Sequence, residues 1–189
     1  CTPKYNMMRH KLLMWNNNMS NRMNGQWRLK SRPDGMVKET DFEFVEEPVE
    51  ELGKNEFLIR NLYLAFEPAM RGWLNDVKSY VPPVQIGEVM RAGTVGQVIE
   101  SSNKNFAAGD YVQGQLGWQE YAVNNGAMGL MGGLSKIQPG IPPYLVLSVL
   151  GGTGLTAYFG LLDVGKPNEG DVVVVSGAAG ATGSIAGQI

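Results

Sequence analysis

The chain ends in a run of four valines followed by regularly spaced glycines, "VVVVSGAAGATGSIAGQI". The valines occupy positions 172–175, and the glycines that follow are Gly177, Gly180 and Gly183. A continuous β-branched run is typical of a strand buried on both faces of a parallel sheet. A glycine turn and the start of a helix come next, so the sequence predicts that an α/β unit begins here.

The glycine turn predicts a phosphate site. Such a turn lets backbone N–H groups approach a pyrophosphate, and the N-terminus of the following helix adds the positive end of its dipole. Gly183 would let this helix pack closely on the strand. Ala179 stands where a strict G-x-G-x-x-G has its second glycine, so a plain strand–turn–helix remains an alternative. The residue that selects NAD or NADP would come about 20 residues later, so these residues do not choose between them.

The preceding part of the chain predicts many short strands separated by turns. Strand patterns occur in "QWRLKSRPDG", "DFEFVEEPV", "EFLIRNLYLAF", "AGTVGQVIESS" and "FAAGDYVQGQLGWQEYAV". A short helix is expected at "EPAMRGWL". Strands with turn signals at this spacing favour a small all-β barrel or sandwich over residues 25–143.

After residue 143 the spacing of the apolar residues changes from that of strands to that of a helix. Within 153–164 the apolar residues Leu155, Tyr158, Phe159 and Leu162 recur at helical spacing, which predicts a helix with one apolar face. Gly165 ends this helix. Residues 144–189 therefore predict a helix, a buried strand, a glycine turn and a second helix.

Composition excludes several classes of function. Net charge is −2, which gives no nucleic-acid signature, and no apolar run approaches the roughly 20 residues of a membrane span. One Cys and one His both lie within the first ten residues, so we predict no disulfide, no zinc site and a cytoplasmic location. Residues 1–24 are basic and lack an apolar period; we interpret them as a disordered or tag-like tail, with a transit peptide as the alternative.

Two stretches resemble the zinc-independent branch of the medium-chain dehydrogenase/reductase superfamily, the NADPH-dependent double-bond reductases that include prostaglandin, 2-alkenal and curcumin reductases. "NLYLAFEPAMRGWL" is similar to the family's L-x-x-D-P-Y-M-R-G-x-M, and "VLGGTGLTAYFGLLDVG" to its VLGMTGLTAYFGLLDIG. The resemblance runs from Gln26 to Ile189. It implies a GroES-like β-barrel catalytic domain over 25–143 and the incomplete start of an NADP-binding Rossmann domain, a doubly wound parallel sheet, over 144–189.

The resemblance also implies functional residues. Cofactor contacts are expected at Gly180, Ala181, Thr182 and Gly183 of the pyrophosphate turn, at Thr156 near the nicotinamide, and at Pro68 and Met70 beside it. Ala69 and Gly152 replace larger residues of the family and would enlarge the substrate pocket. Thr156 could instead be a plain helix hydroxyl, and Met70 a core methionine.

Four aromatic side chains are further candidates for the lining of a hydrophobic substrate pocket. Tyr63 is assigned to the substrate pocket together with Ala69 and Gly152. For Tyr63, Trp73, Tyr80 and Trp118 alike, burial in the barrel is the favoured alternative. No residue is assigned a catalytic role.

The implied activity is reduction of the carbon–carbon double bond of a small hydrophobic enone or enal, with hydride delivered from NADPH to the β-carbon. The alternatives are a zinc-free quinone reductase of the same superfamily and a non-catalytic GroES-like binding module. Only 18 residues follow Asp171, which is too few for the six or so strands of a dinucleotide domain. We therefore expect an N-terminal fragment that is inactive alone and does not bind NADPH tightly, from a full-length protein that forms a homodimer.

Overall fold

The computed structural model describes residues 22–129 and 131–189. Its strands are β1 (Met23–Leu29), β2 (Phe42–Pro48), β3 (Phe57–Leu64), β4 (Gly93–Ser101), β5 (Tyr111–Gln115), β6 (Tyr121–Asn124) and β7 (Ser135–Lys136). Its α-helices are α1 (Ala69–Trp73), α2 (Gly152–Tyr158) and α3 (Ala181–Ala186). Short 3₁₀ helices span Glu39–Asp41 and Pro143–Leu147, and a π-helical turn, Phe159–Gly165, continues α2.

The strands form a sheet-rich N-terminal part. Five of them make an antiparallel sheet in the order β6-β3-β4-β5-β7, and β1 pairs with β2 in a separate antiparallel ribbon. Single bridges join the ribbon to the rest, from Gln26 to Gln119 and from Arg28 to Val89. The fold is thus mixed α/β and rich in sheet. The first strand begins at Met23, before the boundary expected at residue 25, and most of the predicted tail lies outside the described residues.

Two hydrophobic clusters form the core. One lies beneath α1 and holds Leu29, Met70, Trp73, Leu74, Val81, Val84, Met90 and Ala92. The other lies on the large sheet and holds Phe57, Ile59, Val98, Phe106, Val112, Leu116 and Ala122. The alternation of apolar residues in β3 and β4 explains the second cluster, since every other side chain of a strand faces the same side.

The valine run does not form the predicted buried strand. Among the described residues, 171–175 belong to no strand, and Val172 and Val174 are 91% and 88% exposed. The physical reason is that a buried strand needs hydrogen-bonded neighbours, and no described strand lies beside this segment. The predicted helix does form as α2 and the π-helical turn. Its apolar residues Leu155, Tyr158 and Phe159 nevertheless face solvent for the same lack of a partner.

Of the four aromatic residues for which burial was favoured, Trp73 alone is buried. Tyr63 is partly exposed, and its ring packs edge-on against Tyr144 with centroids 5.9 Å apart. Tyr80 is exposed, and its hydroxyl accepts a hydrogen bond from Trp73 Nε1 at 3.3 Å. Trp118 is half-buried. Strand periodicity does not determine these positions, because three of the four side chains lie outside the sheet strands.

An ion pair at the edge of the sheet should make stability depend on pH. Lys136 Nζ lies 2.6 Å from Asp110 Oδ2, and the same oxygen accepts the backbone N–H of Ala107 at 2.8 Å. The hydrogen bond from Lys136, followed by that from Ala107, lowers the pKa of Asp110 below its ordinary value of 3.8. A depressed pKa stabilises the fold above the unfolded-state value, and this contribution is lost as the pH falls through the folded-state value.

We expect Asp110→Asn to reduce the free energy of unfolding by up to about 1 kcal/mol near neutral pH, the range of exposed ion pairs. The difference from the parent chain should shrink below the ordinary pKa of 3.8, where the aspartate is increasingly protonated in both states. Urea unfolding of both proteins at neutral and acidic pH measures this difference in free energy. The control is Asp76→Asn, at an exposed aspartate. An equal loss at both pH values would contradict the assignment.

Candidate functional site

A cleft of about 750 Å³ separates the large sheet from the C-terminal helices. One wall is the segment Leu64–Ala69, which connects β3 to α1, and the floor comes from the adjoining ends of β4 and β5. The opposite wall comes from the 3₁₀ helix Pro143–Leu147 and the start of α2, with the first residues of α3 beside it. The cleft therefore forms where the sheet-rich part meets the segment that carries the glycine turn.

Six of the predicted site residues line this cleft: Pro68, Ala69, Gly152, Thr156, Ala181 and Thr182. They come from three separate stretches of the chain, and the fold brings them to one place. Gly180 and Gly183 do not line the cleft, but they shape the turn and helix that present Ala181 and Thr182 to it.

Two predicted residues lie elsewhere. Met70 points into the core cluster beneath α1 and is nearly fully buried, in agreement with the core-methionine alternative. Tyr63 packs against Tyr144 and does not line the cleft. Their assignment to cofactor and substrate contacts remains a sequence prediction with no support from these positions.

The glycine turn requires glycine at two places. Gly177 has a backbone φ of +61°, in the left-handed region that favours glycine. A Cβ at Gly183 would lie 2.4 Å from the carbonyl oxygen of Gly177 and 3.0 Å from Ala178 Cα. The predicted close approach at Gly183 is thus observed, but the helix meets the glycine turn rather than a paired strand. The turn is held further by a hydrogen bond from Gly180 N to Gly177 O at 2.8 Å.

The wall formed by α2 is equally close-packed. A Cβ at Gly154 would lie 1.7 Å from the carbonyl oxygen of Val149, and one at Gly151 would lie 2.2 Å from that of Val146. These glycines let the start of α2 pack against the 3₁₀ helix and the turn that follows it. The packing fixes Gly152 and Thr156 at the cleft.

Thr156 is exposed, and its hydroxyl donates a hydrogen bond to the carbonyl oxygen of Gly152 at 2.7 Å. A hydroxyl has one proton and two lone pairs. The donor is therefore engaged within the helix, while the oxygen remains able to accept a hydrogen bond from a bound molecule.

Polar residues of the cleft floor were not predicted from the sequence. Thr94 is fully buried, donates to Ala92 O at 3.0 Å and accepts from Leu116 N at 3.2 Å, so it fixes β4 to the end of β5. A Cβ built on Gly93 would meet Glu67 Oε1 at 3.4 Å and Gln115 Nε2 at 3.7 Å. A carboxylate and an amide donor therefore flank one glycine at the cleft floor. The pairing of β3 with β4 and of β4 with β5 brings them there, so no local motif could have indicated that they meet.

Among the described residues, no three His, Cys, Asp or Glu side chains lie close enough together to share a metal ion. No helix within 22–129 or 131–189 is long and apolar enough to cross a bilayer.

The sheet-rich part of the chain matches a domain that occurs in oxidoreductases. The family described as the N-terminal domain of oxidoreductase matches residues 25–131, more than half of the chain. The chain belongs to this family, and the recognition made from its motifs is confirmed.

Similar proteins agree with this assignment. The chain is 43% identical over 168 residues to the NADPH-dependent curcumin reductase of Escherichia coli, a match that spans 88% of the chain and 47% of that protein. It is 37% identical over 163 residues to bovine prostaglandin reductase 1, spanning 86% and 47%. A crystal structure of CurA from Vibrio vulnificus in complex with NADPH aligns with a TM-score of 0.77 and 41% identity, over 87% of this chain and 48% of that one. The chain thus spans about half the length of the relatives it matches.

Proposed function

We propose that this protein carries out NADPH-dependent reduction of the carbon–carbon double bond of α,β-unsaturated ketones and aldehydes, with hydride transfer to the β-carbon. The observation that carries the proposal is the cleft in which Pro68, Ala69, Gly152, Thr156 and Thr182 meet. Relatives named as curcumin reductase and prostaglandin reductase, and the NADPH in the CurA structure, support the same chemistry.

The residues of the glycine turn fit the pyrophosphate of NADPH. The first N–H groups of a helix have no partner within the helix, and those of α3 begin at Ala181, on the rim of the cleft. The close contact of Gly183 with the turn leaves no side chain between the helix and the loop. In this proposal the backbone of Ala181 and Thr182 holds the pyrophosphate, and the Thr156 oxygen accepts a hydrogen bond from the carboxamide of the nicotinamide.

When bound, NADPH supplies the hydride. The task of the chain is to position the substrate and to exclude water, as is usual for cofactor enzymes. Ala69 and Gly152 are small and leave room in the cleft for a hydrophobic enone. Reduction at the β-carbon builds negative charge on the carbonyl oxygen, and the Gln115 amide at the cleft floor can donate a hydrogen bond to it. The proton for the α-carbon is assigned to no residue.

We propose that the sheet-rich part is a closed GroES-like barrel and that residues 144–189 are the first part of a Rossmann domain. The exposed valines would then pair inside that domain, which agrees with their β-branched composition. A homodimer and a cytoplasmic location are part of the proposal as well.

The test is a turnover assay with the protein produced from its complete reading frame. We expect that the absorbance of NADPH decreases with a medium-length alkyl enone such as 3-nonen-2-one, and that the product is the saturated ketone. The saturated ketone itself, 2-nonanone, is the matched control and should not oxidise NADPH. Faster turnover of a quinone than of any enone would favour the quinone-reductase alternative. Failure to bind NADPH at all would favour a non-catalytic binding module.

A further inference from the structure

The loop that follows β6 begins with the pair Asn125 and Gly126. The sequence has one other Asn-Gly pair, Asn24 and Gly25 in β1. In such a pair the backbone nitrogen of the glycine can attack the side-chain amide carbon of the asparagine, because glycine has no Cβ to shield that nitrogen. The fold places the two pairs in opposite surroundings.

Asn24 is held in the interior by hydrogen bonds. It is 8% exposed, and its Nδ2 donates to Gln119 Oε1 at 3.1 Å and to Tyr121 O at 2.9 Å. Its Oδ1 accepts the backbone N–H of Tyr121 at 2.9 Å. Attack on the amide carbon would turn the side chain away from these partners, and buried polar groups that lose their partners are costly. We therefore expect Asn24 to be unreactive while β1 stays in place.

Asn125 is exposed, and its side chain folds back over its own peptide bond. Its Oδ1 accepts the backbone N–H of Ala127 at 2.9 Å, which holds the amide close to the intervening nitrogen of Gly126. The same hydrogen bond polarises the amide. A donor at this oxygen stabilises the negative charge that develops there during attack, so the turn favours the reaction.

The peptide group that supplies the attacking nitrogen is polarised as well. Asn103 Nδ2 donates to Asn125 O at 3.0 Å and to Asn55 O at 2.7 Å. A donor at this carbonyl oxygen stabilises the peptide anion that forms when the N–H of Gly126 loses its proton, since hydrogen bonds to charged groups are the stronger ones. That N–H donates to Asn124 Oδ1 at 2.7 Å, and this bond must open first. The reaction should therefore become faster as the pH rises.

The fold also requires the glycine that makes the pair reactive. Gly126 has a φ of +78°, in the left-handed region that favours glycine. A Cβ at this position would lie 2.8 Å from Cε2 of Phe106, which belongs to the core cluster on the large sheet. A larger residue would shield the backbone nitrogen, but the packing excludes one.

We propose that Asn125 is a site of spontaneous deamidation. The Gly126 nitrogen gives its proton to hydroxide and forms a bond to Cγ of Asn125. The bond from Cγ to Nδ2 breaks, and the amide nitrogen leaves as ammonia after taking protons from water. Water then opens the succinimide ring at either carbonyl carbon, which gives aspartate or isoaspartate. The product carries a new negative charge in the loop that leads from β6 to Gly133 at the cleft.

The test follows the two Asn-Gly pairs within one protein. The protein from the complete reading frame is incubated at mildly alkaline pH, and its peptides are analysed by mass spectrometry. We expect the peptide with Asn125 to gain about 1 Da, the exchange of an amide for a carboxylic acid, at least about ten times faster than the peptide with Asn24. In urea, where β1 no longer protects Asn24, the two rates should converge. Asn125→Gln should abolish the gain at this position, because the larger ring that glutamine forms closes slowly.

A substitution at Asn103 tests the polarised peptide group. Asn103→Ala removes the donor at Asn125 O, so we expect deamidation of Asn125 to slow about two- to tenfold, the range of a single hydrogen bond. The matched control is Ser102→Ala in the same loop. The Ser102 hydroxyl donates to Gly53 O and Glu56 O instead, so its loss should leave the rate unchanged.

Equal rates at Asn125 and Asn24 in the folded protein would overturn the proposal. So would an intact Asn125 in the folded protein under conditions that modify it in urea. An Asn103→Ala variant that reacts as fast as the parent, or faster, would overturn the role of the Asn103 donor. Turnover plays no part in these measurements, so their outcome is independent of the proposed function.

Discussion

Gly183→Ala should lower the affinity for NADPH roughly tenfold or more. The added Cβ would lie 2.4 Å from Gly177 O and 2.9 Å from Gly177 C, so the backbone of the glycine turn must shift to admit it. Overpacking of this kind costs about 1–3 kcal/mol, and about 1.4 kcal/mol corresponds to tenfold in a dissociation constant. The shift displaces the N–H groups proposed to hold the pyrophosphate. Titration of the protein from the complete reading frame, followed by NADPH fluorescence, measures the change.

The residue that follows the same helix provides the control. A Cβ at Gly187 would approach Gly183 O at 3.5 Å, which is ordinary van der Waals contact, and no other atom outside its two chain neighbours lies within 4 Å. Gly187→Ala should therefore leave the affinity for NADPH unchanged. If both substitutions lower the affinity for NADPH equally, the loss comes from any added side chain near α3. The close contact of Gly183 with the glycine turn would then not be what determines binding. If Gly183→Ala binds NADPH normally, the pyrophosphate does not lie at this turn.

The strands of the N-terminal part could be predicted because their signals are local. Alternating side chains and Gly or Pro turns surround each of β1 to β6, and the structure has a strand in every predicted segment. Asp34 and Gly35 mark the turn after β1, where Gly35 adopts a φ of +71°. The two-residue strand β7 was not predicted, because it is too short to show a period in the sequence. The second half of the helix predicted over 153–164 has π-helical geometry, which the apolar spacing does not distinguish from an α-helix.

The valine run shows what a local pattern cannot establish. Residues 172–175 have the composition of a buried strand, but burial is a property of the neighbours that a strand acquires. Among the described residues no strand pairs with them, and the valines stay exposed. The β-branched composition therefore indicates a segment that needs neighbouring strands before it can be buried.

The residues of the candidate site that lie in family motifs could be predicted from the sequence. Pro68 and Ala69 belong to one recognisable motif, Gly152 and Thr156 to a second, and Ala181 and Thr182 to the glycine turn. All six line the cleft. Met70 follows directly after Ala69 in one motif, yet one position along a helix turns the side chain by about 100° and directs it to the core. A motif thus locates a segment at a site, whereas the face of each residue depends on how the segment packs.

The polar floor of the cleft could not be predicted for a different reason. Glu67 precedes α1, Gly93 begins β4 and Gln115 ends β5, so their meeting depends on strand pairing across distant positions. Such contacts have no signature in a single sequence. The same holds for the rings of Phe42, Phe66 and Trp118, which converge from three separate segments.

Phe57→Ala should reduce the free energy of unfolding by about 3–5 kcal/mol, the range for deleting a buried phenylalanine. Phe57 is fully buried at the start of β3, and its ring stacks on Phe106 with centroids 4.4 Å apart at 16°. Urea unfolding measures the loss, and Phe44→Ala, at a half-exposed ring on Trp27, should cost only about 1 kcal/mol. Because Phe57 lies at the far end of β3 from the cleft, the molecules that remain folded should bind NADPH with unchanged affinity. A weakened affinity in the folded variant would mean that the sheet core and the cleft are coupled through β3.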